Sequence, residues 1–269
     1  MLYIFSIIFI LYAGIVAYFY LAQGKLLYYP FREIESVPTD IDLPYEEITV
    51  TTSDRQMLCC WYVPVNGNSR GVVLFPHGNA GNMSTRLDTF RIVHNLGFDM
   101  CMFDYRGYGK SGGKPSERGT YADAGAVYSY LLKERNVQED RITVWGRSLG
   151  AAVAAWLGAH YHPRAVILES GFTSVPDVGQ QQYPYLPVRY LVKFDYPTID
   201  YVKNIRTAVL VIHSPEDEVV PFSHAEKIAA ACGDKSSFLR IRGGHNDGYL
   251  LSEDDYVKGV DAFFKKVGM

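Results

Sequence analysis

The chain has 269 residues, 48% of them hydrophobic, with 26 Lys+Arg against 29 Asp+Glu and a formal net charge of -3. A mean hydropathy of -0.05 is too apolar for a disordered chain and too polar for a bundle of membrane spans. The absence of a long basic run excludes an electrostatic nucleic-acid binder, and no fixed repeat points to a solenoid.

Residues 2–22 carry no charge. At ~1.5 Å per residue a helix of this length crosses the ~30 Å hydrocarbon core of a bilayer. Tyr18 and Tyr20 near its end, and Tyr28 and Tyr29 beyond, suit the headgroup layer. No Lys or Arg precedes the run and no small-x-small site follows it, so residues 1–22 read as an uncleaved single-pass anchor rather than a signal peptide. Lys25 and Arg32 follow it, and the positive-inside bias points the main domain toward the cytoplasm. Residues 23–44, with Pro30, Pro38 and Pro44, read as a linker arm leading to a domain over 45–269.

The strand-like runs EEITVTTS and QMLCCWYVP flank the turn Ser53-Asp54-Arg55. GVVLFPHG is a short buried strand, MSTRLDTFRIVHNLG an amphipathic helix closed by Gly97, and FDMCMFDYRG another strand. A helix follows, with Tyr121, Ala124, Val127, Tyr128, Leu131 and Leu132 at helical spacing. RITVWG, AVILES, TAVLVIHS and SSFLRIRGG read as further strands, alternating with the helical segments SLGAAVAAWLGAHY and HAEKIAAAC. Ser252 and Asp255 are placed to cap a last helix striped by Tyr256, Val260, Phe263 and Phe264. This alternation predicts an α/β fold with a mostly parallel sheet covered by helices on both faces. Residues 171–204, rich in Pro and Tyr, read as a short cap insertion over the sheet's C-terminal edge. Cys59 and Cys60 fall on opposite faces of one strand, and no C-x-x-C pattern appears, so free buried thiols are expected.

Gly146-Arg147-Ser148-Leu149-Gly150 lies between a strand and a helix. A sharp turn there crowds the flanking positions, and glycine at 146 and 150 relieves the crowding and leaves the Ser148 hydroxyl at the sheet edge. A serine alcohol needs a base oriented by an acid. Among seven histidines, His245 in RIRGGHND follows the last strand at that same edge. Asp217 in HSPEDEVVP follows the penultimate strand, with Glu216 and Glu218 beside it; Glu169 is the rival acid. The order Ser148, Asp217, His245 is that of α/β-hydrolases. PHGNAGN follows an earlier strand where that fold supplies an oxyanion donor, so the backbone N–H of Asn79 joins that of Leu149 as the candidate oxyanion hole. In DYRGYGKSGG a tight turn tied by Asp104 and Arg106 is the favoured reading, and Arg147 is expected to pair with a carboxylate beneath the turn. In the cap, Tyr183, Tyr185, Leu186, Tyr190 and Phe194 are candidates for an acyl pocket, or for packing of the insert and contact with the bilayer.

Together PHGNAGN, DYRGYGKSGGKPSE, WGRSLGAAVA, SPEDEVVP and GGHND resemble the membrane-anchored serine hydrolases of the α/β-hydrolase superfamily, the fungal bud-emergence type and related animal α/β-hydrolase-domain proteins. The similarity runs from about Lys25 to the C-terminus. It implies the α/β-hydrolase fold, a hydrophobic anchor, and Ser148, Asp217 and His245 as nucleophile, acid and base. The expected activity is cleavage of carboxylic esters or thioesters of small-molecule or lipid acyl substrates at a membrane, with no metal, no cofactor and no nucleic acid. A serine peptidase and a non-catalytic ligand-binding protein on the same scaffold are the alternatives.

Overall fold

The computed structural model describes residues 2–269 and contains an eight-stranded sheet. Its strands are β1 (Glu46–Thr51), β2 (Met57–Val63), β3 (Val72–Pro76), β4 (Asp99–Phe103), β5 (Ile142–Arg147), β6 (Ala165–Glu169), β7 (Ala208–His213) and β8 (Ser236–Arg240). Their spatial order is β8-β7-β6-β5-β3-β4-β2-β1. β2 runs antiparallel to both β1 and β4; the other neighbouring pairs are parallel.

The helices are α1 (Leu2–Leu27), α2 (Leu87–Asn95), α3 (Glu117–Lys133), α4 (Leu149–His160) and α5 (Val175–Gln182). They continue as α6 (Val188–Leu191), α7 (Thr198–Asn204), α8 (Ser223–Cys232), α9 (Gly248–Leu251) and α10 (Glu253–Lys266). Successive strand residues face opposite ways. Leu58, Cys60 and Tyr62 accordingly join a core with α3, α4 and α8, while Cys59, Trp61 and Val63 join one with α2 and α10. All four cysteines are free and buried. The fold is thus the doubly covered, mostly parallel sheet that the alternation of elements requires.

Three local differences from the sequence reading have physical causes. The N-terminal helix does not stop at residue 22 but continues to Leu27. Gln23 and Lys25 are good helix formers, and the Gln23 side chain is fully used. Its Nε2 donates to the Leu191 carbonyl at 2.9 Å, and its Oε1 accepts from the Lys193 amide at 2.7 Å. The chain beyond is tied down: Tyr29–Pro30 pairs in parallel with Ala80–Gly81, and Asn82 Nδ2 donates to the carbonyls of Phe31 and Glu33. Ser252 does not cap α10; its hydroxyl contacts the amide and carbonyl of Arg242 at 2.8 and 3.1 Å. Glu253, Asp254 and Asp255 instead place negative charge in the first turn, where the helix dipole favours it. Finally, Arg106 does not pair with Asp104. It reaches Asp54 and the buried Asp123, each at 2.8 Å, whereas Asp104 accepts from the Met83 amide at 2.8 Å.

Residues 171–204 carry α5, α6 and α7, the last packed against α4 and α8. Tyr196 is fully buried there, with its hydroxyl 2.8 Å from that of Tyr28 and 2.9 Å from Thr120 Oγ1.

Candidate active site

β5 ends at Arg147 and α4 begins at Leu149, leaving one residue to reverse the chain. Ser148 takes φ 55° and ψ -119°, a combination that side-chain-bearing residues avoid. A Cβ at position 146 would overlap the Gly150 carbonyl, and one at 150 would overlap the Pro76 carbonyl. Glycine at both positions is therefore a condition of the turn.

Two long-range contacts, meeting at His245, lead away from this serine. His245 Nε2 lies 2.9 Å from Ser148 Oγ, and His245 Nδ1 lies 2.8 Å from Asp217 Oδ2. An ionised carboxylate only accepts, so Nδ1 carries the proton and Nε2 offers its lone pair to the hydroxyl. Asp217 Oδ1 accepts from the amides of Val219 and Val220 at 2.9 and 2.7 Å. Burial alone would raise the Asp217 pKa; the hydrogen bond and charge of His245, with those two amides, outweigh it and hold the carboxyl below its ordinary value. His213 walls the acid at 3.4 Å, but its Nε2–H donates to the Val220 carbonyl, and burial pushes its pKa down.

The neighbouring acids have a different role. Glu216 Oε2 accepts from the Gly243 amide and Glu218 Oε2 from the His245 amide, each at 3.0 Å, so both hold the histidine loop. In the sequence they are indistinguishable from Asp217 except by position. Glu169 lies beneath the elbow with both oxygens engaged. Oε1 accepts from Arg147 Nε at 2.7 Å; Oε2 accepts from Trp145 Nε1 at 3.0 Å and Tyr256 Oη at 2.7 Å. Burial disfavours the Arg147 cation, but the charge and hydrogen bond of Glu169, together with Tyr256 and Tyr249, outweigh it and raise the guanidinium pKa. Strand register explains the pairing, because Arg147 and Glu169 are direct partners across β5 and β6.

Leu149 opens α4, so its amide has no acceptor inside the helix. Asn79 lines the same small pocket as Ser148 and His245. Its Nδ2 donates to the Leu27 carbonyl at 2.9 Å and its own carbonyl accepts from Tyr108 Oη at 2.7 Å, which fixes the loop. The backbone passes so near that a Cβ on Gly78 would stand 3.6 Å from Ser148 Cβ.

Tyr183 and Leu186 line an apolar cavity of about 180 Å³ between α1 and residues 171–204, with Phe19, Leu27, Phe172 and Phe194. Tyr185 and Tyr190 are not among its walls and are 62% and 91% exposed. The sequence reading did not single out Arg86 or Asn246, which line the pocket at Ser148. Nothing in their local spacing marks them. Among the described residues no group of three or more His, Cys, Asp or Glu side chains is arranged to hold a metal ion.

Residues 67–194 match the family model described as serine aminopeptidase, S33. An uncharacterized protein of Mycobacterium tuberculosis is 36% identical over 259 residues, covering 96% of this chain and 92% of its own. The α/β-hydrolase domain-containing protein WAV2 of Arabidopsis thaliana is 33% identical over 270 residues, covering 91% of this chain and 88% of its own. Among solved structures, the Pyrococcus furiosus esterase Pf2001 shares the fold with a TM-score of 0.75 at 19% identity, over 89% of this chain and 100% of that one. The chain belongs to the α/β-hydrolase superfamily and is a hydrolase by that membership.

Proposed function

We propose that the protein is a membrane-anchored serine hydrolase that cleaves carboxylic esters or thioesters of lipid-like acyl substrates. The observation that carries this reading is the hydrogen-bonded chain from Ser148 through His245 to Asp217. Ser148 Oγ attacks the acyl carbon while its proton passes to His245 Nε2, and Asp217 stabilises the resulting imidazolium. The amides of Asn79 and Leu149 hold the tetrahedral oxyanion. Collapse expels the alcohol or thiol, which takes the proton from His245 and leaves Ser148 acylated. Water then gives a proton to His245 and attacks the acyl carbon; collapse releases the carboxylic acid and returns the proton to Ser148.

An acyl chain is favoured by the apolar cavity between α1 and the cap, whose wall includes Leu27, the residue that anchors the Asn79 side chain. Anchoring is supported by α1, one helix of 26 residues that is long and apolar enough to cross a membrane. Lys25 and Arg32 follow it, and the positive-inside bias favours the cytoplasmic face for the domain. The matching family description favours a second reading, an aminopeptidase. The pocket beside Ser148 counts against it, because the Arg86 guanidinium, which has no ion-pair partner among the described residues, repels a terminal ammonium.

A fluorophosphonate probe tests the assignment. Wild-type protein is expected to be labelled and folded Ser148→Ala is not, with acyl esters or thioesters turned over faster than aminoacyl peptides. Undiminished labelling of folded Ser148→Ala would contradict the reading.

A further inference from the structure

The pocket at Ser148 holds a positive charge that the proposed chemistry does not use. Arg86 and Arg147 both line it, together with Ser148, His245 and Asn246. Arg147 is matched by Glu169. Arg86 has no carboxylate within ion-pair distance among the described residues: its Nη2 donates to the Ala80 carbonyl at 2.5 Å, and its Nε is buried without a hydrogen-bond partner. Arg147 Nη2 is likewise buried without a hydrogen-bond partner, its guanidinium lying 3.8 Å over the Tyr249 ring. Burial, and after it the nearby Arg147 charge, push the Arg86 pKa down, so the fold holds this cation against both desolvation and repulsion. Buried cations are normally matched by anions; Arg147 is paired with Glu169, whereas Arg86 feels the Asp104 charge only at a distance and forms no ion pair among the described residues.

The position of Arg86 is set by the loop that faces the serine. It ends the turn Met83–Arg86 directly after PHGNAGN. A Cβ on Gly78 would lie 3.9 Å from Arg86 Nη2 and 3.6 Å from Ser148 Cβ, and one on Gly81 would lie 3.8 Å from the same nitrogen. The guanidinium therefore rests on the backbone that borders the reacting centre.

We propose that Arg86, supported by Arg147, seats an anionic group of the substrate, a carboxylate or a phosphate, beside the acyl carbon that Ser148 attacks. The planar fork of a guanidinium suits both groups. The assignment deepens the serine-hydrolase reading and rests on it for the bond that is cleaved, whereas the anion site itself is a matter of binding. Arg86 is on this account a specificity residue: it selects acyl substrates that carry negative charge next to the scissile bond.

The test uses the full chain in uncharged detergent and two matched substrate pairs. Nitrophenyl glutarate half-ester against nitrophenyl valerate places the charge on the acyl side. Lysophosphatidate against monoacylglycerol places it on the alcohol side. Wild type is expected to favour the charged member of at least one pair by about 10- to 100-fold in kcat/KM, the span of a charge-assisted hydrogen bond. Arg86→Gln removes that preference and Arg86→Glu reverses it. Equal handling of both members by wild type overturns the proposal, as does an equal loss on charged and neutral esters in Arg86→Gln, which would assign the residue to the oxyanion loop alone. Calorimetric titration of inorganic phosphate into Ser148→Ala, with and without Arg86→Gln, reads binding without turnover. Phosphate held through Arg86 in a wild-type protein inert to every ester supports the anion site and contradicts only the hydrolase reading. Ester turnover with neither charge preference nor phosphate binding contradicts only the anion site.

Discussion

Ser148 is an ordinary alcohol until its neighbours act on it. The lone pair at His245 Nε2 is available because Nδ1 keeps its proton and donates it in a hydrogen bond to Asp217, and Asp217 stays ionised because two amides and the imidazole face it. Asp217→Asn reverses that logic, since an amide N–H can meet Nδ1 only by stabilising the wrong tautomer. On the proposed mechanism kcat for an acyl ester should fall by about 10⁴-fold, measured by steady-state kinetics. The same carboxylate also links folding to pH. Its folded pKa is depressed from 3.8, so its stabilisation is complete above that value and is lost as pH falls through the lower folded value. Thermal unfolding should therefore separate wild type from Asp217→Asn at neutral pH, and the gap should close in acid below about pH 4. A gap that widens in acid would contradict the direction of the shift.

At the scale of elements, the turn from β5 to α4 determines whether a site exists at all. A methyl group at position 146 meets backbone, not a side chain that can swing aside. Gly146→Ala is expected to cost about 3 kcal/mol or more, lowering the melting temperature by about 10 °C or preventing folding. A variant as stable as wild type would show that the elbow can relax. This turn was legible in the sequence because a local steric demand left a local signature, glycine at two fixed offsets from the serine. Other contacts left no such mark. Arg106 finds Asp123 and Asp54, 17 and 52 residues away, and no local spacing reveals that choice over its neighbour Asp104. Ser252 satisfied a helix-cap pattern, yet Arg242 engages its hydroxyl. The extension of α1 to Leu27 was hidden for a similar reason: the uncharged run ends at residue 22, but Gln23 finds its partners at Leu191 and Lys193, far along the chain. Arg86 was invisible because its significance lies in an unmatched charge, which only the assembled pocket displays.

Across the whole molecule, the N-terminal helix does more than precede the catalytic domain. Tyr12 Oη donates to the Tyr185 carbonyl at 3.0 Å, Phe19 stands edge-on to Tyr183 at 5.0 Å, and Leu27 holds Asn79 at the Ser148 pocket. The helix thus touches both residues 183–185 and, through Leu27, the loop that carries Asn79. If α1 is an anchor, the full chain should stay in the membrane pellet after an alkaline carbonate wash, and the mature protein should retain residues 1–22 by N-terminal sequencing. Release of the full chain, or a mature N-terminus beyond residue 22, would remove the anchor from the account.

On the proposed mechanism Ser148 becomes transiently acylated. Rapid acid quench of the protein with a nitrophenyl acyl ester, followed by peptide mass spectrometry, should find the acyl mass on the peptide containing Ser148 during turnover and in no peptide of Ser148→Ala. Sustained hydrolysis with the acyl group on another residue, or undiminished hydrolysis by folded Ser148→Ala, would contradict it.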